Sequence, residues 1–158
     1  MIPALSRQTA VADEAIEMCS VRIGQTLYGV PIMRILEILG KPAKQPVPLA
    51  PRYIGGLVHY RGEVLTTVSL RSLLEMREHN AVEDILVFEG VDGYFGLLVD
   101  EVDEVMTVLP TEFEGNPSTL DDRRKALFAG TYKLKDRLLV MLDPERLDPV
   151  RLAETATA

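Results

Sequence analysis

At 158 residues, 47% of them hydrophobic, the chain can bury a sizeable core as one domain or two small fused units, removing roughly two-thirds of its unfolded surface from water. A formal net charge of −7 excludes a general nucleic-acid binder, because phosphate neutralisation needs a basic surface. The single cysteine, Cys19, excludes a disulfide framework, and no apolar run reaches the ~20 residues of a membrane span, so a soluble cytoplasmic protein without direct membrane insertion is expected.

The charge is uneven. Residues 1–80 carry 9 Lys and Arg against 7 Asp and Glu, a net of +2, whereas residues 81–158 carry 8 against 17, a net of −9. That distribution suits two faces of different sign meeting different partners or copies, or else simple solvation of the second half.

In chain order, residues 1–16 read as a flexible N-terminal leader, mixed in charge and without the apolar centre of a signal peptide. Cys19, Val21 and Ile23 alternate with polar neighbours, and Gly24-Gln25-Thr26 turns the chain into Leu27-Tyr28-Gly29-Val30, a strand, turn and strand. Pro31 opens a short helical turn that leads into a strand near Ile38. Pro42, Pro46, Pro48 and Pro51 leave room only for an extended connection or sheet edge. Residues 54–70 then predict a β-hairpin with Arg61-Gly62 at its tip, Val64, Thr66, Val68 and Leu70 alternating along the second arm. An arginine at such a tip suits docking onto a partner's carboxylates or carbonyls; the alternative is an ordinary solvated turn.

Ser69 is placed to cap a short helix bearing Leu70, Leu73 and Leu74, and Arg77 to Ala81 form a polar linker. Ile85 to Phe88 and Tyr94 to Val99 predict strands around a turn at residues 90–93. Valines at every third position from Asp100 to Val108 predict a bulged strand. Thr111 to Asp122 reads as a loop, followed by a second hairpin with arms Gly130–Leu134 and Arg137–Leu142. Asp143 stands before a last short helix containing Leu147, and the tail from 149 to 158 is expected to stay outside the packed domain.

The halves resemble each other. Tyr28-Gly29, Ile35, Glu37 and Ile38 match Phe95-Gly96, Val102, Glu104 and Val105 at a constant offset of 67, and the hairpins align Gly56 with Gly130 and Val68 with Leu142 at an offset of 74. The same alignment sets Ser69 opposite Asp143, two good helix N-caps. A duplicated, mainly β architecture of two small barrels with short helical segments follows.

Catalytic patterns are missing from this reading. His59, Arg61 and Glu63 would share a face only on an unbroken strand, and the turn at Arg61-Gly62 breaks it. Asp100, Glu101, Asp103 and Glu104 lack the glycine-punctuated spacing of a calcium loop, and Cys19 reads as an inert buried thiol. No catalytic residue, metal site or cofactor is predicted, and a binding module is the expectation. The rival to a docking adaptor is a stand-alone small barrel that binds a peptide or metabolite.

The ordered set Tyr28-Gly29-Val30, Ile35-Leu36-Glu37-Ile38, Pro48-x-x-Pro51-x-Tyr53-Ile54-x-Gly56, Arg61-Gly62, Val68-x-Leu70 and Gly96-x-x-Val99-Asp100-x-Val102 resembles the CheW family from about Glu17 to Leu147. The resemblance implies two five-stranded SH3-like barrels within residues 17–148, the first at about 17–76 and the second at 83–144, with 149–158 as C-terminal tail. It also implies a non-catalytic adaptor that links the cytoplasmic tips of chemoreceptors to the regulatory domain of the histidine kinase CheA, recruited to membrane receptor arrays. Further copies of the chain in rings are another partner class it allows. By the same resemblance, receptor contact falls near Ile35, Glu37, Gly56 and Arg61. The family usually has Asn-Leu before the Arg-Gly pair and Asp before the following helix, where this chain has His59-Tyr60 and Ser69. The first departure suggests a divergent system, such as one governing pili; the second exchanges one good cap for another.

Overall fold

A computed structural model describes residues 15–77 and 81–157, with side chains to residue 154. The expected leader, apart from its last two residues, and His79 in the expected linker lie outside the described residues. Eleven strands make two sheets. β1 (Ile16–Ile23) and β2 (Thr26–Pro31) form a hairpin, and a 3-10 turn at Ile32–Arg34 leads into β3 (Glu37–Leu39). β4 (Ile54–Tyr60) and β5 (Glu63–Ser69) form the central hairpin, which runs directly into helix α1 (Leu70–Leu73). β6 (Asp84–Gly90), β7 (Gly93–Val99) and β8 (Glu101–Val108) follow, then β9 (Phe113–Glu114), helix α2 (Asp122–Leu127), the hairpin of β10 (Phe128–Lys133) and β11 (Leu138–Leu142), and helix α3 (Pro149–Thr157).

One sheet has the order β3-β6-β7-β5-β4 and the other β8-β1-β2-β11-β10-β9. The strands therefore do not divide at residues 76–83, as the sequential barrel boundaries expected. Each repeat lends its first hairpin to the other repeat's sheet: β6 and β7 sit among β3, β4 and β5, while β1 and β2 sit among β8, β10 and β11. The joins are the parallel pairs β5–β7 and β2–β11, in matching register: Thr66 opposes Phe95 and Thr67 opposes Gly96, as Val140 opposes Tyr28 and Met141 opposes Gly29. Those four pairs are related by the offsets of 74 and 67 read from the sequence. Neither ladder closes on itself, and β9 adds a sixth strand to one sheet, so the SH3-like pair consists of open sheets. The exchange also mixes the charged halves. Residues 35–99, which build the first sheet, carry 6 basic against 8 acidic residues, and residues 15–34 with 100–158 carry 10 against 14, so both units are mildly acidic.

The exchange explains why β6 and β7 read as continuous apolar runs. In β6, Leu86 and Phe88 point into the large cluster shared by both sheets, whereas Ile85 and Val87 point into the first sheet's own interior with Val58, Tyr60, Leu65 and Leu98. β1 is covered differently: Cys19, Val21 and Ile23 join the shared cluster, while on its other face Met18 packs with Leu27, Val108, Tyr132 and Leu139, and Ser20 and Arg22 bond to β8. A strand covered on both faces needs apolar side chains at successive positions, as buried strands do.

β8 carries the bulge its valine spacing predicted. Val102 opposes Val21 and Val105 opposes Cys19, leaving Asp103 and Glu104 against Ser20 alone. The buried Ser20 hydroxyl donates to Glu104 O (2.7 Å) and accepts from Glu104 N (3.0 Å), satisfying the backbone that the bulge removes from the ladder. Three segments differ from expectation. The loop at 111–122 contains β9, which pairs Phe113 with Tyr132. α2 begins where a direct run into the hairpin was expected, its start capped by Asp121, which accepts from Arg124 N (2.8 Å). The expected tail is helical over Pro149–Thr157, because Asp148 caps it by accepting from Val150 N (2.9 Å) and Leu152 packs on the shared core. Among the described residues, no helix is long and apolar enough to cross a membrane.

Candidate functional site

β3 and β4 are the two outer strands of the five-stranded sheet, and side chains link them at the tip of the central hairpin. Tyr60 pairs with Glu63 across a two-residue turn in which Arg61 has φ +49° and Gly62 φ +78°. Positive φ at both central positions is the tight hairpin geometry that matches the strand twist, and it favours Asn, Asp or Gly at the first of them. This chain places arginine there.

Arg61 Nη2 donates to Glu37 Oε1 on β3 at 3.1 Å. The Tyr60 hydroxyl donates to the same oxygen at 3.2 Å. The guanidinium carbon lies 5.5 Å from the Tyr60 ring centre, and Tyr94 meets that ring edge-on, at 5.5 Å between centres and 86° between planes. Bonding to Glu37 raises the Arg61 pKa further above its ordinary value. Burial is the first cause that raises the Tyr60 phenol, which Arg61 partly opposes, so the hydroxyl remains a donor at neutral pH. The Arg61 side chain keeps 72% of its exposure, and Glu37 38%. The pair is open to an incoming group, and an ion pair so exposed contributes little to stability.

The other residues expected near receptor contact occupy different environments. Ile35 is half-buried against the shared core, but Leu36 and Ile38 beside it are exposed. Gly56 is buried at a bulge, with φ +124°, where the Gln45–Leu57 bridge crosses it (N–O 2.9 and 2.7 Å). Its contribution is backbone shape. The Ser69 hydroxyl accepts from Ser72 N (3.2 Å) at the start of α1, and Asp143 Oδ1 accepts from Glu145 N (3.1 Å) at the start of the 3-10 turn Pro144–Leu147. His59 is exposed on β4 opposite Val64, one pair away from Tyr60–Glu63, so His59 and Glu63 face opposite sides of the hairpin and Arg61 lies in the turn.

The acidic run is occupied by internal partners. Asp100 takes Arg71 through both oxygens (2.7 and 2.9 Å) and Gly24 N (2.8 Å), Asp103 takes Arg22 (3.1 Å), and Glu104 takes Arg137 (2.8 Å). Among the described residues, no group of three His, Cys, Asp or Glu side chains could hold a metal ion. The Cys19 thiol is buried, which raises its pKa. Sequence reasoning noted Tyr60 only as a departure and missed Tyr94. The available signal was the alternation in β4, which turns Val58 and Tyr60 inward toward whatever strand lies across the seam.

These features define a class: a duplicated pair of SH3-like sheets presenting a cationic hairpin tip, a docking module. The family model described as the CheW-like domain matches residues 17–149, and the chain belongs to that family. It is similar to the chemotaxis protein CheW of Rhizobium meliloti, at 28% identity over 89% of this chain and 92% of the relative. Its similarity to the CheW of Helicobacter pylori is 29% identity over 85% and 82%. The crystal structure of the scaffolding protein TtCheW from Thermoanaerobacter tengcongensis shares the fold, with TM-score 0.75, 22% identity, and coverage of 84% of this chain and 91% of that one.

Proposed function

We infer that this protein is a non-catalytic chemotaxis adaptor that couples the cytoplasmic tips of chemoreceptors to the regulatory domain of the histidine kinase CheA. It works in the cytoplasm, recruited to receptor arrays at the membrane. Family membership supports the adaptor role. The observation that carries the contact site is Arg61, an arginine in the left-handed region where glycine or asparagine would be less strained, with most of its side chain in solvent. A residue that strains the turn and returns little through one exposed ion pair gives the fold little reason for its presence. Contact with a partner's carboxylate does. Ile35, Glu37 and Gly56 belong to the same receptor-facing region, Gly56 by shaping the strand beneath it.

The test is binding of the parent and Arg61→Asn to a chemoreceptor tip fragment and to the CheA regulatory domain. The parent should bind both. Arg61→Asn should lose at least tenfold in affinity for the tip, keep its affinity for the kinase domain, and melt no lower than the parent. A parent that binds neither protein overturns the adaptor reading; unchanged tip affinity in Arg61→Asn overturns the contact site.

A further inference from the structure

The duplication supplies an internal control for the hairpin tip. Glu104 on β8 is the counterpart of Glu37 at the offset of 67, and it too takes an arginine from a hairpin tip, Arg137 of the β10–β11 connection, at 2.8 Å. Both sheets therefore tie their third strand to the opposite hairpin through a glutamate–arginine pair. The residue aligned with Tyr60 at the offset of 74 is Leu134, which packs beside that sheet's interior cluster and has no hydroxyl to reach the glutamate. In the first sheet the same place holds a ring under the guanidinium and a phenol bonded to the carboxylate, with Tyr94 set against the ring.

We propose that Tyr60, buttressed by Tyr94, is a positioning residue that holds Arg61 and Glu37 as a preset receptor for a partner carboxylate. The proposal rests on the reading of Arg61 as the tip contact. Glu37 Oε1 accepts from both a phenol and a guanidinium, so the phenol keeps a bond to it when a partner draws on Arg61. The guanidinium carbon stands over the Tyr60 ring, 5.5 Å from its centre, and the contact with Glu37 runs through Nη2. A guanidinium has five N–H donors in a planar fork, and the donors on Nε and Nη1 suit bidentate capture of an aspartate or glutamate side chain. Arg137, held by Glu104 and Asp136, has the charge but not the tyrosine beneath it. Preorganisation of this kind raises affinity by removing the ordering cost from the binding step.

The experiment compares the full chain with Tyr60→Phe, Tyr60→Leu, Arg61→Asn and Arg137→Ala. It uses two readouts: affinity for a chemoreceptor tip fragment, and 15N-edited NMR of the arginine Nε–Hε groups in the free protein. Tyr60→Phe should lose about threefold in affinity and Tyr60→Leu about tenfold, the Arg61 Hε signal should change from restrained to averaged in Tyr60→Leu, and Arg137→Ala should bind as the parent does. Replacing one acidic side chain of the tip fragment at a time by its amide should find one whose loss is smaller against Tyr60→Leu than against the parent, the coupling expected of a positioned pair. Full affinity in both Tyr60 variants, with Arg61→Asn still defective, overturns the proposal and leaves the contact site standing. Full affinity in Arg61→Asn overturns both. Should Tyr60→Leu fail to fold, Tyr60→Phe keeps the ring and isolates the hydroxyl, and an unchanged affinity and Hε signal in that variant overturn the proposal.

Discussion

Replacing Gly56 by alanine should damage the fold before it damages any contact. The residue sits at φ +124°, which an L side chain rarely adopts, and a Cβ built there would lie 2.9 Å from the carbonyl oxygen of Gln45. Forcing a side chain into so sparse a backbone region costs about 1–3 kcal/mol. Relieving the clash means moving Gln45, a backbone neighbour tied to Leu57 by two hydrogen bonds of 2.9 and 2.7 Å; losing one or both adds about 1 kcal/mol each. The sum is about 2–5 kcal/mol, a large part of a typical 5–15 kcal/mol stability. Urea denaturation should show the midpoint of Gly56→Ala falling by about 1–2 M at an unchanged slope. Gly115→Ala is the control, since a Cβ there meets nothing within 4 Å and its φ is not in the left-handed region; it should stay within ~0.5 kcal/mol of the parent. A Gly56→Ala midpoint equal to that of the control would refute the reasoning.

Three further outcomes follow from the same geometry. Ser69→Ala should cost about 1 kcal/mol by removing the acceptor for Ser72 N, and Ser69→Asp should keep the cap; equal melting of alanine variant and parent would show that the hydroxyl contributes nothing. Because each sheet takes strands from both halves, the chain should unfold in one cooperative transition. Fragments 15–77 and 81–157 should fold only when mixed, and a fragment that gives the parent's circular dichroism by itself would contradict the exchange.

Strand positions were legible because the buried runs are unambiguous. Ile85 to Phe88 has no polar residue to spare for solvent, and Tyr94 to Val99 follows across a turn of glycine and aspartate. The partners of those strands were not legible. Alternation states which face a residue occupies, not which strand lies beside it, and the parallel joins of β5 with β7 and β2 with β11 are long-range pairings with no turn to announce them. The repeat itself was visible in the offsets, yet both an exchanged and an unexchanged pair of sheets satisfy the same offsets. α2 and α3 were missed for a different reason. Asp121 and Asp148 are ordinary N-caps, the latter followed by Pro149 at a position that suits a first helical turn, but six or nine residues of mixed polarity give too little periodicity to outweigh a loop reading. At the tip, Arg61 and Glu37 could be named singly from the sequence; their meeting through Tyr60 spans the seam between two outer strands, which only the sheet order reveals.

The seam also explains how one duplicated scaffold can carry two different tips. Each repeat links its third strand to a hairpin connection through an exposed glutamate and arginine. In the second repeat the connection runs through Leu134 to Arg137, where Leu134 N donates to Arg137 O at 2.9 Å, and its arginine stands outside the left-handed positions. In the first, the turn is tight, Arg61 itself occupies a left-handed position, and a tyrosine replaces the leucine beneath it. If both pairs served only as clasps, the first would be the worse built: it strains the backbone and exposes its cation more, at 72% against 40% for Arg137. The strain and exposure are explained when the first clasp is also the surface another protein meets, because a tight turn projects the arginine into solvent above the tyrosine.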